Sequence, residues 1–335
     1  MKTHTHMTED QLLKILASFK KKKIAVLGDV GIDRYTIGLV ERISPEAPVP
    51  IVSVQREYLK LGLASNVADN VVALEGVPLV SGVLGKDQDA KDLSAMLMQR
   101  KISTQGLVTD SSRRTILKER IMGENQQMLR VDYEDTHVLS PAIQKKVQAS
   151  MLKAIAGADA LIVEDYAKGL LQEKTIAMAV KAANSKKIPV LIDPHLKTPV
   201  SWYANATLLT PNKREAEVLA GEKITDSKSL VSVGKKIMEK SKSKSLVITL
   251  GKDGMAIFKN PNALPTVIPT FAQEVYDVSG AGDTVISVLA LVLAAGATLE
   301  EAAYISNLAA GVEVSKRGTA TVSQQEIVQA FLRNA

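Results

Sequence analysis

The sequence has no cysteine among its 335 residues, a single tryptophan and only 4% aromatic residues. Without cysteine there is no disulfide framework, thiolate nucleophile, zinc finger or iron–sulfur site. The longest nearly unbroken apolar stretch, residues 285–297, falls well short of the ~20 residues that a membrane-spanning helix needs. No apolar signal core opens the chain, so a cytoplasmic address and no membrane partner are expected. The scarcity of aromatic side chains also removes the stacking platforms of single-strand nucleic-acid binders.

What the sequence does contain is 46% hydrophobic and 23% charged residues, which exclude a disordered chain. Its net charge is 42 − 36 = +6. The cations sit in short clusters, Lys20–Lys23, Lys186–Lys187, and Lys240, Lys242 and Lys244, beside strand-like runs. Solvated turns account for such clusters, so no nucleic-acid partner is expected. An anionic small-molecule substrate suits the modest excess.

Apolar runs of strand length recur at residues 24–27, 160–163, 189–192, 206–209 and 246–249, separated by helical periodicity as in 141–155 and 174–183. Strands apolar on both faces, alternating with helices, predict a three-layer α/β fold with a mainly parallel central sheet covered by helices. Residues 34–58 and 113–133 break the rhythm as extended, turn-punctuated segments, and Pro45, Pro48 and Pro50 exclude a helix in the first. They predict a small β-lid inserted into a single domain over 21–335. Residues 1–20 read as a weakly packed extension in which His4 and His6 are inert.

Polar residues follow the strands: Gly28, Asp29 and Asp33; Glu164, Asp165 and Tyr166; Asp193; Thr210 and Asn212; Gly251 and Asp253. In a parallel α/β sheet such loops open together at the carboxyl edge, where ligands bind. Singly, each is equally a turn or a helix cap. The strongest local signal is Asp277-Val278-Ser279-Gly280-Ala281-Gly282-Asp283 before an apolar helical run. Small residues let backbone N–H groups at a helix start approach an anion, and an aspartate beside them can take a proton from an attacking hydroxyl. The alternative is a glycine turn with Asp283 as an N-terminal cap. Neither Gly85-Lys86 nor Gly251-Lys252 continues into Ser or Thr, and no Gly-x-Gly-x-x-Gly opens the first helix. A P-loop ATPase and a typical dinucleotide enzyme are therefore disfavoured.

These residues resemble the PfkB/ribokinase family of sugar kinases, whose hallmark is the Gly-Ala-Gly-Asp element at 280–283. The likeness runs from about Ile24 to Val322. Within the family, Arg42-Ile43-Ser44-Pro45-Glu46-Ala47-Pro48 and Asn125-Gln126-Gln127 are most similar to kinases of D-glycero-β-D-manno-heptose 7-phosphate in lipopolysaccharide biosynthesis. The resemblance implies a ribokinase-like fold, ATP and Mg²⁺, and phosphorylation of the anomeric hydroxyl to give heptose 1,7-bisphosphate. It makes Asp283 the base and Gly280, Ala281 and Gly282 the anion hole.

Carried over residue by residue, the resemblance puts Asp33, Asn66 and Asp193 at the sugar. Lys118, Arg120, Arg130 and Lys168 become candidates for its 7-phosphate, with Lys118 and Arg120 on one face of an extended strand. Asn212, Lys213, Arg214 and Glu215 are implied at the nucleotide phosphates, Glu215 reaching Mg²⁺ through water. Thr249, Gly251, Gly254, Asn307 and Gly318 are implied around the base. For Glu215 the plain alternative is a first-turn carboxylate favoured by the helix dipole. A homodimer through the lids is also implied.

Two departures stand out. Relatives carry Gly-Gly before the sugar-binding Asn, where this chain has Gly62-Leu63, and a lysine where it has His195. Both bear on which sugar is accepted. Many relatives fuse a nucleotidyltransferase domain to the kinase, for which 335 residues leave no room, so a monofunctional kinase is expected. Kinase chemistry on another sugar, and a non-catalytic nucleotide-binding regulator, are the alternatives. Retention of Asp283 argues against the second.

Overall fold

The computed structural model describes residues 7–124, 126–316, 318 and 320–334. His4, His6 and Asn125 lie outside them. Strands β1 (Lys23–Gly28), β4 (Val77–Leu84), β5 (Leu107–Thr109), β8 (Ala160–Glu164), β9 (Val190–Asp193), β10 (Leu208–Leu209), β11 (Ser245–Thr249), β12 (Met255–Phe258) and β13 (Thr266–Ile268) form one sheet. Its order is β13-β12-β11-β10-β9-β8-β1-β4-β5. Pairing is parallel from β5 through β11, and β12 and β13 add antiparallel at one edge. The carboxyl ends of seven strands therefore share one edge.

The period-2 alternation explains the layers. In β1, Ile24 and Val26 belong to one buried cluster and Ala25 and Leu27 to the other. The first cluster is closed by α1 (Glu9–Ala17), α2 (Ala64–Ala73), α3 (Gln88–Gln99), α8 (Ala281–Ala294), α9 (Leu299–Glu313) and α10 (Gln324–Asn334). The second is closed by α4 (Pro141–Gly157), α5 (Glu173–Ser185), α6 (Lys213–Ala220) and α7 (Ser227–Ser241). Local signals start several of these helices. Ser140 with Pro141 caps α4, and Thr298 with Glu301 forms a capping box on α9. Among the described residues no helix is long and apolar enough to cross a membrane.

The amino-terminal segment departs from expectation. Residues 8–17 form a capped helix, and Leu12, Leu16 and Phe19 are fully buried in the first cluster. It is not a weakly packed extension: α1 carries an apolar stripe at i, i+4 that α10 covers.

A second sheet of four strands has the order β3-β2-β6-β7, built from β2 (Val30–Ile43), β3 (Pro50–Leu63), β6 (Ile116–Gly123) and β7 (Gln126–Tyr133). Its strands begin nearer the main sheet than the proline-rich composition indicates. Only Asp29 separates β1 from β2. Asp33 thus lies within a strand, with Ile32 buried beside it, and not in a turn after β1. The chain stays extended there because Val30 and Ile32 have buried apolar surface to satisfy.

Candidate active site

The register of the second sheet decides which side chains share a face. Asp33 lies opposite Lys60 on β3 and Lys118 on β6, and Tyr35 lies opposite Tyr58 and Arg120. One face of the lid therefore carries Asp33, Tyr35, Tyr58, Lys60, Lys118 and Arg120. Tyr35 and Tyr58 stack at 4.9 Å between ring centroids, and the Arg120 guanidinium lies 5.4 Å from the Tyr35 ring. Arg120 Nη1 donates to Asp33 Oδ1 at 2.7 Å. Gly62 leaves room for that carboxylate, since a Cβ there would lie 3.1 Å from Asp33 Cγ. Burial holds the Lys60 ammonium below its usual range, against the pull of Asp277, Glu313 and Asp33.

The other predicted cations are distributed unevenly. Lys118 donates to Asp132 and Glu134, each at 3.2 Å, and Lys168 pairs with the same Glu134. Burial pushes the Glu134 carboxyl up, but Lys168 and Lys118 hold it below its usual range. Lys118 and Lys168 are mostly covered, at 14% and 19% exposure. Arg130 is 50% exposed and clamps Asp132 through Nε and Nη2. It stands at the outer margin of the group. His195 accepts from the Lys197 amide at Nδ1, and its own amide donates to Tyr203, so it shapes the turn after β9.

Across from the lid face lie the N-termini of two helices. Leu63 precedes α2 at φ 56, ψ −141, a glycine-type conformation, and the Ala64 amide donates to the Asp29 carbonyl. This turn presents Asn66 at the third position of α2. Helix α8 follows Gly280, which has φ 98, and no side chain caps it. First-turn N–H groups point out of a helix N-terminus, so those of Gly282 and Asp283 face the cleft; the Ala281 amide makes a long 3.4 Å bond to Val278. A Cβ on Gly282 would meet only Asp193 Oδ2, at 3.8 Å.

Asp283 is the point where the two sides meet. Its Oδ2 accepts from Asn66 Nδ2 at 2.7 Å and its Oδ1 from the Tyr166 hydroxyl at 3.1 Å. Removal from water pushes its carboxyl up to about 6, against the lowering effect of these two donors. Asn66, implied as a sugar ligand, is thus also a ligand of the carboxylate. Glu164 and Asp193 are pushed well above the carboxylate range, first by burial and then by each other's neighbours: Asp193 and Asp283 act on Glu164, and Glu215 and Asp283 act on Asp193.

Beyond Asp283, toward β11 and β12, opens a cavity of about 690 Å³. Its walls bring together Asn212, Lys213, Arg214, Thr249, Gly251 and Gly254, with Asn307, Ala281 and Gly282. Gly254 is required by the fold: at φ 90 its Cβ would fall 1.9 Å from the Ile268 carbonyl. The Asn307 amide donates to the Pro269 carbonyl at 2.7 Å, so it ties down the segment that walls the cavity. Gly318 is elsewhere. Its amide donates to Asp277, and the space over its Cα faces Tyr35 and Lys60 of the lid.

Asn212 and Glu215 form a reciprocal capping box on α6, with bonds of 3.0 and 2.9 Å. This is the plain helix-start role weighed for Glu215. Burial raises its carboxyl against those bonds. Among the described residues no three acidic or histidine side chains converge as a metal-binding group.

Several participants escaped sequence reasoning as individuals. Tyr166 was visible only as part of a polar loop and Tyr35 only as a position within 34–58, while Lys60 fell outside the segments read as the lid. Glu313, fully buried at the end of α9, has its carboxyl pushed up to about 8 by burial, aided by Asp283 and Asp277. Its helical setting gave no sign of that.

Residues 21–326 match the family described as pfkB family carbohydrate kinase. The chain is 41% identical over 324 residues to the bifunctional protein HldE of Pelobacter propionicus, covering 97% of this chain and 66% of that protein. It is 41% identical over 315 residues to bifunctional protein HldE of Haemophilus influenzae, covering 94% and 64%. The chain therefore spans under two thirds of these relatives' length. Among solved structures, ribokinase of Arabidopsis thaliana complexed with ribose and ATP aligns with a TM-score of 0.74 at 18% identity, over 92% of this chain and 98% of that one. Phosphofructokinase-2 of Escherichia coli aligns with a TM-score of 0.76 at 18% identity, over 93% and 99%. These two establish the ribokinase-like fold.

Proposed function

The chain belongs to the pfkB family of carbohydrate kinases, and from that premise we propose that it phosphorylates the anomeric hydroxyl of D-glycero-β-D-manno-heptose 7-phosphate with ATP. The observation that carries this reading is the position of Asp283, between the cation-bearing face of the lid and the 690 Å³ cavity, at the uncapped N-terminus of α8.

The sugar lies against the lid face and the nucleotide in the cavity. Asp33 and Asn66 accept and donate to sugar hydroxyls, Arg120 fixes Asp33, and Asp193, beside Gly282, borders the site where sugar and phosphate meet. Lys118 and Lys168 meet the 7-phosphate and exchange their bonds to Glu134 for bonds to phosphate oxygens. Arg130 contributes from the rim. Asp283 takes the hydroxyl proton as the sugar oxygen forms its bond to the γ-phosphorus and the bond to ADP breaks. The Gly280–Gly282 turn that opens α8 forms the anion hole, with the free Gly282 amide facing the transferring group, so catalysis is mostly positioning and charge stabilisation.

Mg²⁺ fits this site as an ion carried mainly by nucleotide phosphates and water. The mutual repulsion of Glu164, Asp193 and Glu215 is what a nearby cation relieves. Glu215 would hold it through water, and it would neutralise charge on the phosphates.

An ADP-release screen against heptose 7-phosphate, fructose phosphates and unphosphorylated sugars tests the reading. Signal from another sugar with none from heptose 7-phosphate overturns the substrate. Leu63, at a position that suits glycine, is the observation favouring that second reading. The lid also carries exposed Ile43, Val54, Met128 and Leu129, apolar surface that a second copy would cover in a homodimer. A monomer in sedimentation at micromolar concentration overturns that assembly.

A further inference from the structure

We infer that Tyr166 is a positioning residue for the reaction, holding the Asp283 carboxylate in one orientation from the side opposite Asn66. The inference rests on Asp283 being the base.

The two donors bracket the carboxylate. Asn66 reaches Oδ2 from the first turn of α2, and Tyr166 reaches Oδ1 from the loop after β8. A carboxylate oxygen has two acceptor sites, so each keeps one for an incoming hydroxyl proton. With both oxygens held, rotation of the carboxyl about its last torsion costs two hydrogen bonds. The base is thereby fixed before substrate arrives, which is the condition under which proton transfer and positioning are effective.

The loop that carries Tyr166 is built to be stiff. Asp165 accepts from the Tyr203 hydroxyl at 2.7 Å and from the Ala167 amide at 2.8 Å. Ala167 takes φ 54, and the Lys168 amide donates to Asp29 at 3.3 Å. Gly169 at φ 90 packs so closely on the His137 carbonyl that a Cβ would fall 2.2 Å from it. A side chain whose role was only to fill space would need none of this bracing.

The surroundings keep Tyr166 a donor. Asp283 faces Asn66 from α2, Tyr166 and Glu164 from β8 and its loop, Asp33 from β2, Asp193 from β9 and Glu313 from α9. Burial and the Asp283, Glu164 and Asp193 carboxylates push the Tyr166 hydroxyl far up, so it remains protonated and gives its hydrogen to Oδ1. That bond favours the ionised form of Asp283, against the burial that raises it.

The test is Tyr166→Phe, which keeps the ring and removes the donor. In the full chain with ATP, Mg²⁺ and heptose 7-phosphate, the pH profile of kcat falls on the acid side as Asp283 is protonated. Loss of the donor raises the carboxyl further, so the acid limb moves up by about one pH unit. At pH 6.5, the ionised fraction of the base and with it kcat drop about threefold, while KM for both substrates stays within about twofold. An acid limb that does not move overturns the inference, even if kcat falls, because loosened packing leaves the titration where it was. Titration of the Asp283 carboxyl carbon by NMR, assigned by its absence in Asp283→Asn, reads the same upward move without any sugar. Unchanged turnover in Asp283→Asn would instead remove the base, and with it the function proposed above. An inactive Asp283→Asn beside an unmoved limb in Tyr166→Phe removes only the role of Tyr166.

Discussion

Replacing Asp283 by asparagine should stabilise the protein while abolishing its turnover. The folded carboxyl is pushed from 3.8 to about 6, first by removal from water. Above pH 6 the group is ionised in both folded and unfolded chains, and the folded one bears the cost of holding the charge out of water and near Asp33. The difference, at ~1.4 kcal/mol per pH unit, has an upper bound of ~3 kcal/mol. Asp283 is half-buried and water screens part of this, so a gain of about 1–3 kcal/mol is expected at pH 8. The sign follows from linkage. A raised folded pKa contributes stability that is present below about pH 4 and lost as the pH rises through about 6, so the advantage of the uncharged variant is largest at pH 8 and shrinks toward pH 4. The variant can keep both contacts. Its amide oxygen accepts from Asn66 and its NH₂ turns to the Tyr166 hydroxyl, which can accept. Thermal melting at pH 8 and pH 5 reads the effect as a rise of roughly 1–4 °C at the higher pH, with ADP release down about 10²–10⁴-fold. A melting point at pH 8 no higher than that of the parent, or a gap that does not narrow at pH 5, refutes the reasoning.

Two further substitutions probe the sugar side. Leu63 holds φ 56, which costs a non-glycine residue ~1–3 kcal/mol; Leu63→Ala keeps that cost and loses packing, whereas Leu63→Gly relieves it. Chemical denaturation should find the glycine variant more stable than the alanine variant by ~1 kcal/mol, the reverse of the usual order, and an alanine variant equal to or above glycine refutes the strain. Lys168→Met should raise KM for a phosphorylated sugar about 10–100-fold and leave KM for ATP unchanged. An equal rise for phosphorylated and unphosphorylated sugars would show that Lys168 supports the loop and not the phosphate.

Much of the architecture was legible in local pattern. The apolar runs at 24–27, 160–163 and 246–249 lie within β1, β8 and β11, because strands buried on both faces carry no polar residue to disguise them. Helix starts at Ser140 and Thr298 are written in capping residues that act within four positions. The amino-terminal helix was misjudged for the same reason: Leu12 and Leu16 look like any short apolar stripe until α10, some 300 residues on, covers them. Asn212 and Glu215 show the opposite case, a pair whose local cap is plain and whose placement beside Asp193 is not.

By itself, then, the sequence determined which chemical groups stand at the carboxyl ends of the strands, since each follows its own strand directly in the chain. It determined too that a glycine-rich turn opens α8, because backbone conformation at Gly280 is a local matter. The tertiary structure alone decided which of these groups meet. Asn66 and Tyr166 reach Asp283 across 217 and 117 residues of chain. Asp33 faces Lys118 and Lys60 only through the register of the lid, and one residue of slip would turn that face away. Those meetings are fixed by the packing of α2 against α8 and by the pairing of β2 with β6. Such contacts depend on the burial of apolar surface over the whole domain, a sum that no short stretch of residues records.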